Sequence, residues 1–179
     1  IDGLNNLINL TELNLSENEI SIFPSINLLT KLTDLDVSFN NIYQLGDDLS
    51  GLSALKTLNM SHNAIYDISA LDDLTSIETL DLGFNNLGNN GSGLSPDFSS
   101  LENSEFLSSI KLNDNGLDSI EGLRGLDLPL ITLELQNNNL EDISPIGDYT
   151  NLTKLTLYGN EIVSISDLSG MTALRDIDI

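Results

Sequence analysis

One pattern, L-x-x-L-x-L-x-x-N-x-L/I, runs through the whole chain and leaves few folds open to it. It is clearest from Leu32 to Ile42, and it returns at Leu10, Leu55, Ile77, Leu107, Leu130 and Leu152. A further copy opens at Leu174 and runs to Ile179. The asparagines of the pattern are Asn18, Asn40, Asn63, Asn85, Asn115, Asn138 and Asn160, separated by 22, 23, 22, 30, 23 and 22 residues. A fixed period of this size means stacked units, each burying its apolar face only against its neighbours. The expected organisation is one solenoid over residues 1–179, with seven full repeats, partial repeats at both ends and an insertion at about 88–98.

Two periodicities alternate inside each repeat. The pairs Leu13/Leu15, Leu58/Met60 and Leu133/Leu135 alternate as in a strand with one buried face. Stacked in register, such strands make a parallel sheet. Between strands the apolar residues fall at every third position, as in Ile68, Leu71, Leu74 and Ile77, or Ile143, Ile146, Tyr149 and Leu152. A period of three suits short 3₁₀ or extended turns better than an α-helix. The fold class is therefore an α/β repeat solenoid. On these residues the chain resembles the leucine-rich repeat proteins, and within them the 22-residue-repeat subclass of bacterial internalins and phosphatase-regulatory subunits. The resemblance implies an arc with the parallel sheet on its concave face and short 3₁₀ segments on its convex face.

The repeated asparagine has a structural task. Where each strand ends, the chain turns inward and leaves backbone N–H and C=O groups without partners. A buried amide offers two donors and an acceptor to them. The seven asparagines are expected to form a ladder along the solenoid, with truncation of a central one costing about 1–3 kcal/mol. The insertion, Gly88 to Phe98, is rich in Gly, Asn, Ser and Pro and reads as a surface loop. Leu94, Phe98, Leu101 and Phe106 are expected to tuck its return path against the convex side.

Charge narrows the partners. Six Lys and Arg stand against 28 Asp and Glu, a formal net charge of −22. A field of that sign repels phosphate backbones and anionic lipid, which argues against nucleic acid and membrane surfaces and favours a basic protein or peptide. Divalent cations are a second candidate, bound weakly at Asp47/Asp48, Asp72/Asp73, Glu141/Asp142 or Asn89/Asn90/Asp97. None of these follows a known calcium-loop spacing, and no structural metal site or cofactor is expected. Cysteine is absent, which removes disulfides and Cys-ligated zinc. No nucleophile–base pair and no phosphate loop with its lysine is present, so an enzyme is not expected. Sequons occur at Asn9, Asn14, Asn59, Asn90 and Asn151, two of them generated by the repeat itself.

The strand positions beside the leucines should face solvent on the concave side. They include Glu12, Asn14, Ser16, Asp34, Asp36, Ser38, Thr57, Asn59, Ser61, Thr79 and Asp81. In the later repeats they are Lys111, Asn113, Glu134, Gln136, Lys154, Thr156 and Tyr158, and finally Asp176 and Asp178. The residues just before the ladder asparagines read Glu17, Phe39, His62, Phe84, Asp114, Asn137 and Gly159. Phe39, His62 and Phe84 fall in consecutive repeats and should stack. The candidate partner-binding residues are Asp34, Asp36, Phe39, Asn59, His62, Asp81, Phe84 and Tyr158. In the resembled family an aromatic residue before this asparagine also serves to cover the strand end, so both readings of the rings stand.

Three functions follow as expectations. The first is a protein-binding or adhesion module of a larger secreted or cell-surface protein, as the internalin resemblance implies. The second is an intracellular regulatory scaffold of the phosphatase-regulator type, which would be cytoplasmic. The third is a structural subunit stacking head-to-tail. The phase of Ile1, Leu4, Leu7 and Leu10 matches Ile68, Leu71, Leu74 and Ile77, so the chain reads as a segment of something longer.

Overall fold

The computed structural model describes residues 3–46, 49–89 and 96–179. The Asp47/Asp48 pair, Asn90, Leu94 and most of the insertion lie outside the described residues. Eight short strands form one parallel sheet in chain order: β1 (Glu12–Asn14), β2 (Asp34–Asp36), β3 (Thr57–Asn59), β4 (Thr79–Asp81), β5 (Ser109–Lys111), β6 (Thr132–Glu134), β7 (Lys154–Thr156) and β8 (Asp176–Asp178). The register is constant along the stack. Leu13, Leu35, Leu58, Leu80, Ile110, Leu133, Leu155 and Ile177 face one another in turn. A strand of three residues cannot stand alone, so each is held by its neighbours in the sheet and by the leucine or isoleucine at its centre. Leu58, Leu133 and Leu155 are fully buried, and truncating one to alanine costs about 2–5 kcal/mol.

The return path steps by three, as the apolar spacing requires. The Leu71 N–H donates to Ile68, Leu74 to Leu71 and Ile77 to Leu74, at 3.0, 3.0 and 3.2 Å. Every third side chain therefore points to the core while the backbone satisfies itself locally. These segments include 3₁₀ turns at Ser69–Leu71, Ser99–Leu101, Glu121–Leu123, Ser144–Ile146 and Ser166–Gly170. Sheet on one side and 3₁₀ turns on the other make the leucine-rich solenoid expected from the repeat.

The asparagine ladder closes the turn after each strand. Asn40 donates through Nδ2 to the carbonyls of Leu15, Val37 and Ser38 at 2.9, 3.0 and 3.1 Å, and its Oδ1 accepts the Ile20 N–H at 2.9 Å. Each internal ladder amide thus ties its own turn to the preceding repeat. Asn138 goes further, accepting the N–H groups of both Asn115 and Leu117 at 3.0 Å. Asn18 departs from the expectation of burial. It is exposed, and its side-chain amide bonds only to Leu15 and Ser16 within its own repeat.

The insertion returns as expected at two of its four apolar residues. Phe98 and Leu101 are buried in the core around the Ser99–Leu101 turn. Phe106 corrects the expectation: it is 60% exposed. It sits one position before the inward Leu107, where other repeats carry Asn9, Lys31, Ala54 and Ser76, so the repeat phase turns it outward.

Candidate partner-binding face

Each strand sends its middle residue inward, so the flanking residues line the open face of the sheet. Register places Asp36, Asn59 and Asp81 in one row across β2, β3 and β4, and Asp34 and Thr57 in the row beside it. Several positions expected to face solvent do not. Ser38, Ser61, Asn113 and Thr156 are buried. The serines turn back to the strand: Asp36 Oδ1 accepts both the N–H and the hydroxyl of Ser38, at 2.9 and 2.6 Å. Asn59 does the same for Ser61 at 3.1 and 2.8 Å.

The residues before the ladder asparagines form a second row. Six of them, Glu17, Phe39, His62, Phe84, Asp114 and Asn137, have φ between 53° and 57°, and the seventh, Gly159, has φ 71°. This left-handed conformation swings the side chain out while the backbone keeps pairing with the next repeat, as in Phe39 N–H to Ser61 O at 3.0 Å. Gly and Asn adopt it cheaply, whereas a bulky side chain does so at a cost of about 1–2 kcal/mol. Phe39, His62 and Phe84 occupy it in succession. His62 lies between the two phenyl rings, with both centroid distances 4.0 Å and interplanar angles of 12° and 11°. Phe39 and Phe84 remain 52% and 43% exposed.

Charge varies along the sheet face. Lys111 Nζ bonds Asp81 Oδ2 at 2.7 Å, and Lys154 Nζ bonds Glu134 Oε1 at 2.9 Å. The hydrogen bonds to these carboxylates, and their charge, raise the lysine pKa values against the opposing effect of burial. These pairs neutralise Asp81 and Glu134 internally over β4–β7, while β8 carries the exposed Asp176 and Asp178. Over β1–β3, Glu12, Asp34, Asp36, Thr57 and Asn59 line an open depression of about 510 Å³. Asp34 accepts from the Thr33 hydroxyl and Asp36 from Ser38, neither of which cancels its charge.

The structure therefore brings Asp34, Asp36, Asn59, Phe39, His62 and Phe84 onto neighbouring repeats. Asp81 is with them but tied to Lys111. Tyr158 is not: it follows β7, three strands beyond β4, and is exposed there by itself. Two features escaped sequence reasoning. The Asp81–Lys111 pair was legible as opposite charges at equivalent positions in successive repeats, as was Glu134–Lys154. The left-handed conformation was signalled by Asn137 and Gly159 in the same column. Among the described residues no group of three or more His, Asp or Glu side chains could hold a metal ion. Asp142 instead accepts from the Ser144 backbone and hydroxyl, which lowers its pKa. No helix of the described residues is long and apolar enough to cross a membrane.

Comparison with known proteins agrees with this geometry. Family models described as leucine rich repeat match residues 9–29, 30–87 and 130–170. A comparison with curated sequences gives no match. Among solved structures, an internalin (inlF) from Listeria monocytogenes is 28% identical, with a TM-score of 0.69 over 98% of this chain and 56% of that one. A leucine-rich repeat protein of Leptospira interrogans is 27% identical, with a TM-score of 0.79 over 98% of this chain and 44% of that one. The ectodomain of a plant receptor kinase from Arabidopsis thaliana, solved in complex with CASPARIAN STRIP INTEGRITY FACTOR 2, is 23% identical with a TM-score of 0.71, covering 98% and 21%. The chain thus spans about half the length of the first two.

Proposed function

This chain belongs to the leucine-rich repeat family, and on that premise we propose that it is a binding module whose concave sheet holds a basic protein or peptide. The observation that carries the reading is the row Phe39–His62–Phe84. Three large rings occupy a backbone conformation that Asn137 and Gly159 fill in the same column without strain, and the two outer rings stay half exposed. The repeat imposes this backbone on the whole column, and large exposed rings at a position that Asn or Gly fills more cheaply support a surface kept for contact. The carboxylates of Glu12, Asp34 and Asp36 on the adjoining strands, in no ion pair among the described residues although Asp34 feels the charge of Lys56, supply the preference for positive charge.

The module serves a larger secreted or cell-surface protein. Support comes from the internalin relative, 28% identical, and from the half-length coverage of the first two relatives. A secretory signal upstream of this segment is the expected finding; a complete reading frame without one places the protein inside the cell.

The test of the binding reading is a selection of random peptides against the folded chain at low salt. Enriched peptides rich in Arg or Lys, released as ionic strength rises, are expected. Enrichment of acidic peptides, or binding indifferent to salt and to the Phe39 and Phe84 side chains, overturns it.

A further inference from the structure

The ring row ends differently at its two sides, and the difference defines a more specific ligand. His62 covers one face of Phe39 and one face of Phe84; no further ring stacks on either phenyl among the described residues, and both remain about half exposed. Beyond Phe84 the next side chain in the column is Asp114, whose carboxylate already accepts from Asn113 Nδ2 at 3.0 Å and Asn137 Nδ2 at 3.1 Å. Beyond Phe39 the next is Glu17, which shares its left-handed backbone, φ 56° against 53°. Glu17 is held beside Phe39 by the Glu17 N–H to Ser38 O bond and the Asn18 N–H to Phe39 O bond, at 3.0 and 3.2 Å. Its exposed carboxylate has no hydrogen-bond or ion-pair partner among the described residues. One end of the row is therefore an occupied carboxylate, and the other is a half-exposed phenyl beside an unengaged one.

Resting on the reading of this face as the partner surface, we infer that Glu17 and Phe39 form a slot for an arginine side chain of the partner. The chemistry selects that residue. A guanidinium is planar, so it stacks on the phenyl face while its in-plane N–H groups reach the carboxylate beside it. An ammonium is a strongly hydrated point charge and satisfies only one of the two contacts well. The negative field of Glu12, Asp34 and Asp36 nearby favours a cation at this end over the Lys111 end. Asp81, beside Lys111, is already neutralised there.

The experiment titrates the full chain with the peptide amide Gly-Gly-Arg-Gly-Gly and with versions carrying lysine or citrulline, following the Phe39 ring protons by nuclear magnetic resonance. The arginine peptide is expected to bind about threefold more tightly than the lysine peptide. Citrulline, isosteric but uncharged, is expected to leave the ring unshifted. Glu17→Gln lowers arginine affinity about threefold without moving the thermal midpoint, and added salt removes the difference. Equal response to arginine and citrulline, or shifts centred on Phe84, overturns the slot. The two levels separate cleanly. Peptides from the selection that lose affinity to Phe39→Asn/Phe84→Asn but not to Glu17→Gln overturn the slot and leave the binding face standing. Peptides that ignore all three substitutions overturn both.

Discussion

The imidazole of His62 lies 4.0 Å from the ring of Phe39, nearly parallel to it, and meets Phe84 on its other face at the same distance. Three consecutive repeats thus place a flat side chain on one backbone conformation, and the repeat spacing converts them into a single surface. Stacking contributes about 0.5–1.5 kcal/mol per pair, which offsets the cost of holding rings where Asn or Gly fits better. The substitution His62→Asn removes both stacking contacts and relieves one strained position. Stability is therefore expected to change by no more than about 1–2 kcal/mol, read from the denaturant midpoint. A loss well beyond that places the rings in the core rather than on a surface.

The ladder asparagines differ in what they hold. Asn138 is buried and satisfies the carbonyls of Leu112, Leu135 and Gln136 together with two N–H groups of the preceding repeat. Asn138→Ala is expected to cost about 3 kcal/mol, because several buried groups lose their partner at once. Asn18→Ala, at an exposed site with two local bonds, is expected to cost under about 1 kcal/mol. Equal losses for the two contradict a ladder that works by tying repeats together.

The entry to the insertion depends on close backbone approach. A Cβ on Gly88 would meet the Gly116 carbonyl oxygen, with the Leu117 nitrogen at 2.9 Å. Backbone cannot rotate away as a side chain can, so Gly88→Ala is expected to destabilise by about 1–3 kcal/mol. Gly170→Ala is the control, since nothing lies within 4 Å of its Cβ position. Thermal melts of the two variants check the contrast.

Alkaline pH should weaken the convex side at Tyr149. Burial first, and then the charges of Asp127 and Asp148, push its hydroxyl up to about 12. Its hydroxyl donates to the Leu123 carbonyl at 2.8 Å. An unfolded tyrosine ionises near 10, so the stability from the neutral phenol is complete below that value. It is lost as pH rises from 10 through 12. Tyr149→Phe is expected to abolish a late step in the ultraviolet tyrosinate titration and to flatten the fall in stability over that window. An unchanged titration curve contradicts the burial of this hydroxyl.

Much of this was legible in the sequence, for physical reasons that also mark where legibility stops. The inward leucines and the ladder asparagines recur because every repeat solves the same burial and hydrogen-bonding problem, so period alone located strands, turns and core. The ring row was legible from Phe39, His62 and Phe84 in one column. Harder to see were properties set by contact with a neighbouring repeat. Ser38 and Ser61 fold back onto Asp36 and Asn59, which buries hydroxyls that the alternation pointed outward. Asp81 and Glu134 are neutralised by lysines one repeat on, which leaves the acidic character to β1–β3 and to the exposed Asp176 and Asp178 of β8. Tyr158 shares the face but not the neighbourhood, because distance along a solenoid is counted in repeats.

The most direct test of the binding face is calorimetric affinity of a selected basic peptide for the native chain and for Phe39→Asn/Phe84→Asn. Asparagine suits the left-handed position, so the fold survives and the thermal midpoint stays within a few degrees. The account predicts at least a tenfold loss of affinity with that midpoint held, the size expected for removing two exposed aromatic anchors. Unchanged affinity in the folded variant contradicts it and moves the partner off the concave face.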